Sequence, residues 1–113
     1  MVSDMKPFRS TVIPLEAQYF YRLAHEIKNN GQDLNNKMKQ EAVLKYLKMA
    51  VFIAPHFCNA YNAMGNCLDE MGQYDEAIKK YEKVLELNPE HTEARFKRAL
   101  ILEKSGHEGR WYQ

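Results

Sequence analysis

Apolar residues recur at intervals of three and four along most of the chain, the spacing that places them on one face of an α-helix. The clearest run comprises Tyr61, Met64, Gly65 and Leu68, and Gly72 interrupts it. A second run extends over residues 74–85, and the dipeptide at 88–89, Asn-Pro, ends it. The pattern predicts five helices, at residues 15–29, 37–53, 57–71, 74–87 and 91–105.

The sequence also repeats itself at an offset of 34 residues. An internal period of this length is typical of repeat proteins in which each unit is one helix hairpin. We therefore interpret the chain as an array of helix hairpins. The residues that match at this offset are Pro55 with Pro89, Ala60 with Ala94, Leu68 with Leu102, and Gly72 with Gly106.

The segment at residues 61–89, YNAMGNCLDEMGQYDEAIKKYEKVLELNP, resembles the tetratricopeptide repeat. In that family, aromatic, small and proline residues stand at fixed places in each unit. The small residues are sterically required where two helices approach most closely. A sequence rarely matches all of these positions by chance. Val84 departs from the pattern, because its place is usually taken by a small residue. With Cys58 as the first residue of the unit, the matching residues are Tyr61, Gly65, Gly72, Tyr74, Ala77, Tyr81 and Pro89.

Two further units flank this central unit, which spans residues 58–91. A first unit spans residues 17–57, and a partial third unit spans residues 92–107. The first unit has 41 residues, seven more than the period. We place most of the excess in residues 29–37, either as a longer loop or as an earlier start of the second helix. The matching residues are Phe20, Leu23, Ala24, Ile27 and Gly31 in the first unit and Ala94, Ala99, Leu102 and Gly106 in the third.

The resemblance implies an all-α fold, in which antiparallel helix hairpins stack as a short right-handed α-solenoid of about two and a half repeats. The helical domain is expected at residues 15–107. Residues 1–14 are interpreted as an extended N-terminal arm, and residues 108–113 as a C-terminal tail. We expect Pro14 to open the first helix, where its missing N–H costs nothing.

Charge and composition narrow the class of partner. The 113 residues include 16 basic and 15 acidic ones, which gives a formal net charge of +1. Binding to nucleic acid or to an anionic membrane normally shows as a basic excess, so we expect neither. No apolar run has the length of a signal peptide or of a membrane span, so we expect a soluble protein without membrane insertion.

The two cysteines indicate the redox compartment. Cys58 and Cys67 lie nine residues apart within one predicted helix, and therefore on nearly opposite faces. They cannot bond to each other in that geometry. We interpret them as reduced, half-buried thiols in a reducing compartment such as the cytoplasm.

No motif in the sequence predicts catalysis or cofactor binding. The histidines form no HxxxH or HExxH motif, the cysteines form no CxxC motif, and no glycine-rich phosphate loop is present. Asp69 and Glu70 are adjacent, so they point in different directions on a helix, which is a poor arrangement for shared acid–base chemistry. A carboxylate pair formed by the fold is left open. We expect a protein that is not an enzyme and that holds no metal and no cofactor.

The resemblance implies a binding groove on the concave side of the solenoid, lined by fixed positions of the first helix of each unit. Those positions carry Gln18, Tyr21, Arg22 and His25 in the first unit, Asn59, Asn62, Ala63 and Asn66 in the second, and Glu93, Phe96, Lys97 and Leu100 in the third. Our candidate protein-binding residues are Tyr21, Arg22, His25, Asn59, Asn62, Asn66, Glu93, Phe96 and Lys97.

Asn62 and Asn66 are one helical turn apart, so their side chains are expected to project together. An amide side chain can donate to a peptide carbonyl and accept from a peptide N–H at the same time, which suits an extended peptide. The alternative is that both asparagines are solvated polar residues on an exposed face.

One known ligand class of the family can be tested on the sequence. Tetratricopeptide domains that bind the acidic C-terminal tails of heat-shock chaperones hold two carboxylates with lysine, asparagine and arginine side chains. Only Lys97 keeps the required charge here, and Glu93 would repel a carboxylate. We therefore do not expect this carboxylate clamp. The residues at the matching positions are Tyr21, His25, Ala63, Glu93 and Lys97.

The partial third unit leads to a prediction about partners. Without a following helix, we expect apolar side chains such as Leu100 and Ile101 to face water. The tail residues Trp111 and Tyr112, the N-terminal arm or another protein chain are available to cover them. We favour another chain, through self-association or through incorporation into a larger complex.

We therefore predict a non-catalytic protein-interaction module, an adaptor or scaffold, whose groove binds a peptide segment or a helix of a partner protein. The alternative is a structural or assembly-factor subunit. In that case the convex face, the long connection in the first unit and the chain ends are docked within a multiprotein complex, and the groove is empty.

Overall fold

The computed structural model describes residues 12–31 and 34–105, and within these residues the chain forms five α-helices and no strand. Every predicted helix is present, and each predicted end lies within one residue of the observed end. The predicted all-helical class is therefore confirmed. The helices are α1 (Leu15–Asn30), α2 (Asn36–Ile53), α3 (Cys58–Glu70), α4 (Tyr74–Leu87) and α5 (Thr92–Lys104).

Consecutive helices pack against each other, and small residues set their closest approach. A Cβ atom on Gly65 of α3 would lie 2.7 Å from a ring carbon of Tyr81 on α4, so only glycine allows this contact. Tyr81 is fully buried as a result. Gly72 makes the turn between the same two helices with a φ of 79°, a conformation that other residues rarely adopt.

The core consists of two clusters of buried apolar residues, and α3 contributes to both. The first cluster joins α1, α2 and α3 and includes Leu47 and Met64. The second joins α3, α4 and α5 and includes Leu68, Tyr81 and Ile101. Because its two faces belong to different clusters, α3 connects the two halves of the array.

The extra length of the first unit is found mainly in its helices. The connection between α1 and α2 comprises residues 31–35, because Asn29 and Asn30 still belong to α1. Asn35 starts α2 early, since its side chain accepts a hydrogen bond from the Met38 N–H at 2.8 Å. In addition, α1 has 16 residues against 13 in α3, and α2 has 18 against 14 in α4.

The prediction that Ile101 faces water is wrong. Its side chain is fully buried in the second cluster, because it points from α5 towards α3 and α4. Leu100 is 38% exposed and Phe96 is 62% exposed. Arg98, on the side of α5 that faces α4, forms an ion pair with Glu82 of α4 at 3.1 Å.

The residues before α1 are attached to the first hairpin. His56, which follows α2, contacts the Val12 carbonyl through Nε2 at 2.8 Å, and Gln18 donates to the Ile13 carbonyl at 2.7 Å. Pro14 immediately precedes α1, and its carbonyl accepts from the Gln18 N–H. Residues 1–11 of the predicted arm at 1–14 and the predicted tail at 108–113 lie outside the described residues.

The two cysteines are free and have different neighbours. The Cys58 thiol points to the Val84 carbonyl of α4, and the Cys67 thiol points to the Gln40 carbonyl of α2. Cys58 is half-buried as expected, whereas Cys67 is buried because it packs in the first cluster. Among the described helices, none is long and apolar enough to cross a membrane.

Candidate functional site

A groove of about 390 Å³ lies between α1, α2, α3 and the start of α5. Its lining combines amides, charged groups and a small apolar floor. Both helices of the first hairpin contribute to it, while α4 lies behind α3. The lining residues are Tyr21, Ala24, His25, Lys28, Lys39, Gln40, Val43, Leu47, Asn59, Asn62, Ala63, Asn66, Cys67, Glu70, His91 and Glu93.

Aromatic side chains form one end of the groove. The Tyr21 ring packs edge-on against the His25 ring, with centroids 4.7 Å apart, and against the Phe57 ring at 5.0 Å. Burial raises the pKa of the Tyr21 hydroxyl, and the negative charge of Glu93 raises it further. The carboxylate of Glu93 therefore acts on this end of the groove, and Tyr21 stays protonated.

Charged side chains surround the buried Cys67 thiol at the other end. Burial raises the pKa of Cys67, Glu70 raises it further, and Lys28 opposes this effect. Lys28 belongs to the last turn of α1, and Lys39 belongs to the first turn of the neighbouring α2. Because α1 and α2 form a hairpin, both lysines lie at this end. The Cys67 thiol is neutral and is therefore a poor nucleophile.

The amide of Asn66, in the middle of the groove, is held by the second layer of helices. The Tyr81 hydroxyl of α4 donates a hydrogen bond to Asn66 Oδ1. Burial raises the pKa of Tyr81 strongly, and the charges of Asp69, Glu93 and Glu70 add to this effect, so the hydroxyl carries its proton at neutral pH. The oxygen of Asn66 is thus occupied, and its amino group is left to donate into the groove.

Asn62 is one turn away and is bonded differently. Its Oδ1 atom is buried and has no hydrogen-bond partner among the described residues. A buried acceptor without a donor costs roughly 1–3 kcal/mol. Asn62 therefore has an unused acceptor one turn from the donor of Asn66, and this oxygen is covered until the amide rotates.

Six of the nine candidate binding residues line this groove: Tyr21, His25, Asn59, Asn62, Asn66 and Glu93. Arg22, Phe96 and Lys97 do not line it, and their role in binding stays a prediction. Gln18 is also absent from the lining, and its side chain donates to the Ile13 carbonyl.

Sequence reasoning missed the contributions of α2 and of the ends of α1 and α3. The resemblance assigns groove positions to the first helix of each unit only. The long α2, however, directs four side chains between residues 39 and 47 into the groove. The missed lining residues include Lys28, Lys39, Gln40, Val43, Leu47, Glu70 and His91.

Within residues 12–31 and 34–105, no group of three or more histidine, cysteine or carboxylate side chains is placed to hold a metal ion. The absence of enzymatic activity and of a cofactor remains a prediction from the sequence.

Comparison with known proteins identifies the central unit. The model of the tetratricopeptide repeat family matches residues 58–91, the boundaries predicted from the sequence. The central unit is therefore similar to a tetratricopeptide repeat. This repeat comprises α3 and α4 with the turns that follow them, so it carries Asn62, Asn66 and Tyr81.

A curated relative and two solved structures resemble a larger part of the chain. The Hsp70-Hsp90 organizing protein of Triticum aestivum is 29% identical over 80 residues, which is 69% of this chain and 14% of that protein. MamA of Desulfovibrio magneticus RS-1 matches 82% of this chain with a TM-score of 0.71 and 24% identity. A second MamA structure matches 80% with a TM-score of 0.70 and 25% identity.

These matches extend the repeat-type fold beyond residues 58–91. The chain spans about half of each MamA chain, 49%, and a much smaller part of the wheat protein. The tetratricopeptide repeat and these similarities support the predicted class, a protein–protein interaction or scaffold module.

Proposed function

We propose that the groove between α1, α2, α3 and α5 binds an extended peptide segment of a partner protein, mainly through the peptide's main chain. The observation that carries this proposal is the hydrogen bond from Tyr81 to Asn66, which leaves the amino group of Asn66 as a fixed donor. A fixed donor costs little conformational entropy when a peptide carbonyl binds to it.

The spacing of the two asparagines suits an extended chain. Asn62 and Asn66 are separated by one turn, a rise of about 6 Å along α3. In an extended peptide, main-chain groups that point to the same side recur about every 6.5–7 Å. When Asn66 binds the carbonyl of one peptide residue, the N–H and carbonyl of the residue two positions along therefore lie near Asn62. Rotation of the Asn62 amide then offers the unused acceptor Oδ1 to that N–H.

The name of the wheat relative refers to Hsp70 and Hsp90, but we do not extend those partners to this chain. An acidic C-terminal tail would meet Glu93 at one end of the groove, where the family's clamp needs a cation. Tyr21 and His25 occupy the places of a lysine and an asparagine of the clamp. A peptide held by main-chain hydrogen bonds does not depend on that clamp.

Selection from a phage-displayed library of random dodecapeptides tests the proposal. We expect the intact chain to enrich peptides whose affinity falls about tenfold in Asn66→Ala, the loss of one good hydrogen bond. Asn30→Ala is the matched control, because Asn30 is exposed at the end of α1 and does not line the groove. It should bind like the unchanged protein.

Tyr81→Phe separates positioning from direct contact, because it removes only the hydroxyl that holds Asn66. We expect weaker binding in Tyr81→Phe and no further effect of this change in the Asn66→Ala background. If no selected peptide responds to Asn66→Ala, or if Tyr81→Phe acts equally in both backgrounds, the proposed mode of binding is wrong.

The alternative, a subunit docked in a larger complex, is favoured by apolar side chains that face outward from the first hairpin. Phe52 is 87% exposed and Leu15 is 75% exposed, and Tyr19 and Ile53 are also exposed. Since α1 and α2 form a hairpin, the start of α1 lies beside the end of α2. Large exposed apolar side chains grouped in this way are typical of protein interfaces.

Affinity capture with the intact chain distinguishes the two functions. Phe52→Ser should abolish capture of a complex that docks on the first hairpin and should leave peptide binding in the groove unchanged. Asn66→Ala should have the opposite effects. Loss of the same partner in both variants, without loss of stability, would contradict the assignment of separate surfaces.

A further inference from the structure

The groove carries charges of opposite sign at its two ends. Lys28, Lys39 and Glu70 line the end near the connection between α1 and α2, and Glu93 lines the opposite end beside Tyr21. In the described parts of the chain, ion pairs join other residues, such as Lys104 with Asp69, and none involves these four groove charges. Their charges are therefore available to a ligand.

The end with the two lysines has a net positive charge. The charges of Lys28 and Glu70 both act on the pKa of the Cys67 thiol, so both side chains lie near this thiol. Lys39 adds a second cation from α2, so Glu70 offsets only one of the two. The amino group of Asn66 faces the same space as a further donor.

The end of the groove beside Tyr21 carries a negative charge. The carboxylate of Glu93 acts on Tyr21, and the Tyr21 hydroxyl remains a neutral donor beside it. His91, which immediately precedes α5, also lines this part of the groove and is titratable. Its Nδ1 already accepts the Ala94 N–H at 3.1 Å. Glu93 is therefore the charge that a ligand meets there.

We infer that the peptide bound in this groove carries both charges, with an acidic side chain at Lys28 and Lys39 and a basic side chain at Glu93. This inference rests on the proposed function, because it assigns side-chain chemistry to the peptide that the asparagines hold. Charge complementarity of this kind fixes the direction in which a ligand lies and rejects ligands of one sign.

The separation of the two ends sets the spacing of the peptide's charges. Tyr21 and Lys28 are seven residues apart on α1, a rise of about 10 Å. An extended peptide advances about 3.3 Å per residue. The acidic and basic residues are therefore expected about three positions apart in the bound segment.

The library of random dodecapeptides provides the test. The unchanged chain should enrich peptides that combine an acidic and a basic residue at this spacing, and the affinity of such a peptide should fall as salt is added. Lys28→Glu combined with Lys39→Glu should weaken its binding about tenfold. Lys48→Glu combined with Glu41→Lys is the control, because both residues are exposed on α2 outside the groove.

A charge swap gives the sharper result. With Lys28→Glu, Lys39→Glu and Glu93→Lys together, selection should enrich peptides in which the acidic and basic residues have exchanged places. Peptides that depend on Asn66 but show no paired charges would overturn this inference and leave the peptide-binding function standing. Failure to select any peptide that depends on Asn66 would overturn both.

Discussion

Tyr81 takes part in both the packing and the chemistry of this domain. Its ring fills the space that Gly65 leaves open, and its hydroxyl holds Asn66 at the floor of the groove. The repeat pattern predicts the first property, because it places a small residue opposite an aromatic one. The second property depends on where one hydroxyl points, and the pattern carries no information about that.

Gly65→Ala should lower the free energy of unfolding by about 1–3 kcal/mol, because the added methyl group would lie 2.7 Å from the buried Tyr81 ring. Helix propensity alone predicts the opposite sign, a gain of about 1 kcal/mol. Urea unfolding followed by circular dichroism measures the difference. The loss should be smaller when Tyr81→Leu is already present, and a net gain in the single variant would contradict this packing.

The repeat pattern predicts some residues of the groove and misses others. Asn59, Asn62 and Asn66 were found because the position of each residue within a repeat fixes the face it occupies. Lys39 and Gln40 were missed because the first unit departs from the 34-residue period, so the register of α2 against α3 does not follow from the pattern.

Helix α5 has a buried apolar inner side and an exposed outer side of mixed polar and apolar residues. Ala94 and Ile101 are fully buried against the second cluster, while Arg95 and Ala99 face outward. Sequence reasoning placed the helix correctly but misplaced Ile101. Adjacent residues such as Leu100 and Ile101 point about 100° apart, so the rotation of the helix decides which one is buried.

Ile101→Ala should therefore cost about 2–5 kcal/mol of stability, because it leaves a cavity in the second cluster. Leu100→Ala, the neighbouring change, should cost less than about 1 kcal/mol, since Leu100 is partly exposed. Thermal and urea unfolding of the two variants provide the measurement. Equal losses would mean that α5 packs in another rotation.

A histidine side chain caps the start of α5. The His91 imidazole caps the helix by accepting the Ala94 N–H at 3.1 Å. His91→Ala should lower the free energy of unfolding by about 1 kcal/mol, whereas His91→Asn should keep most of the stability because asparagine is a good cap. If both variants were equally stable, the imidazole would have no role as a cap.

Because Ile101 is buried, it cannot supply an apolar contact for the predicted self-association of the molecule. The apolar contact available on α5 now consists of Phe96 and Leu100. If α5 mediates self-association, sedimentation velocity should show a concentration-dependent dimer that Phe96→Glu abolishes. Phe52→Glu on α2 is the matched control and should leave that dimer intact. The reverse result would assign self-association to the first hairpin.

Because α3 is shared between the two hydrophobic clusters, the domain's local stability should be graded along the chain. Either end of the array can open while the cluster at the other end stays packed, as in proteins whose repeats contact only their neighbours. Native-state hydrogen exchange should therefore find the slowest amides in the middle of α3, around Met64, and faster sub-global opening in α1 and α5. Amides of α5 that exchange as slowly as those of α3 would indicate a single cooperative unit.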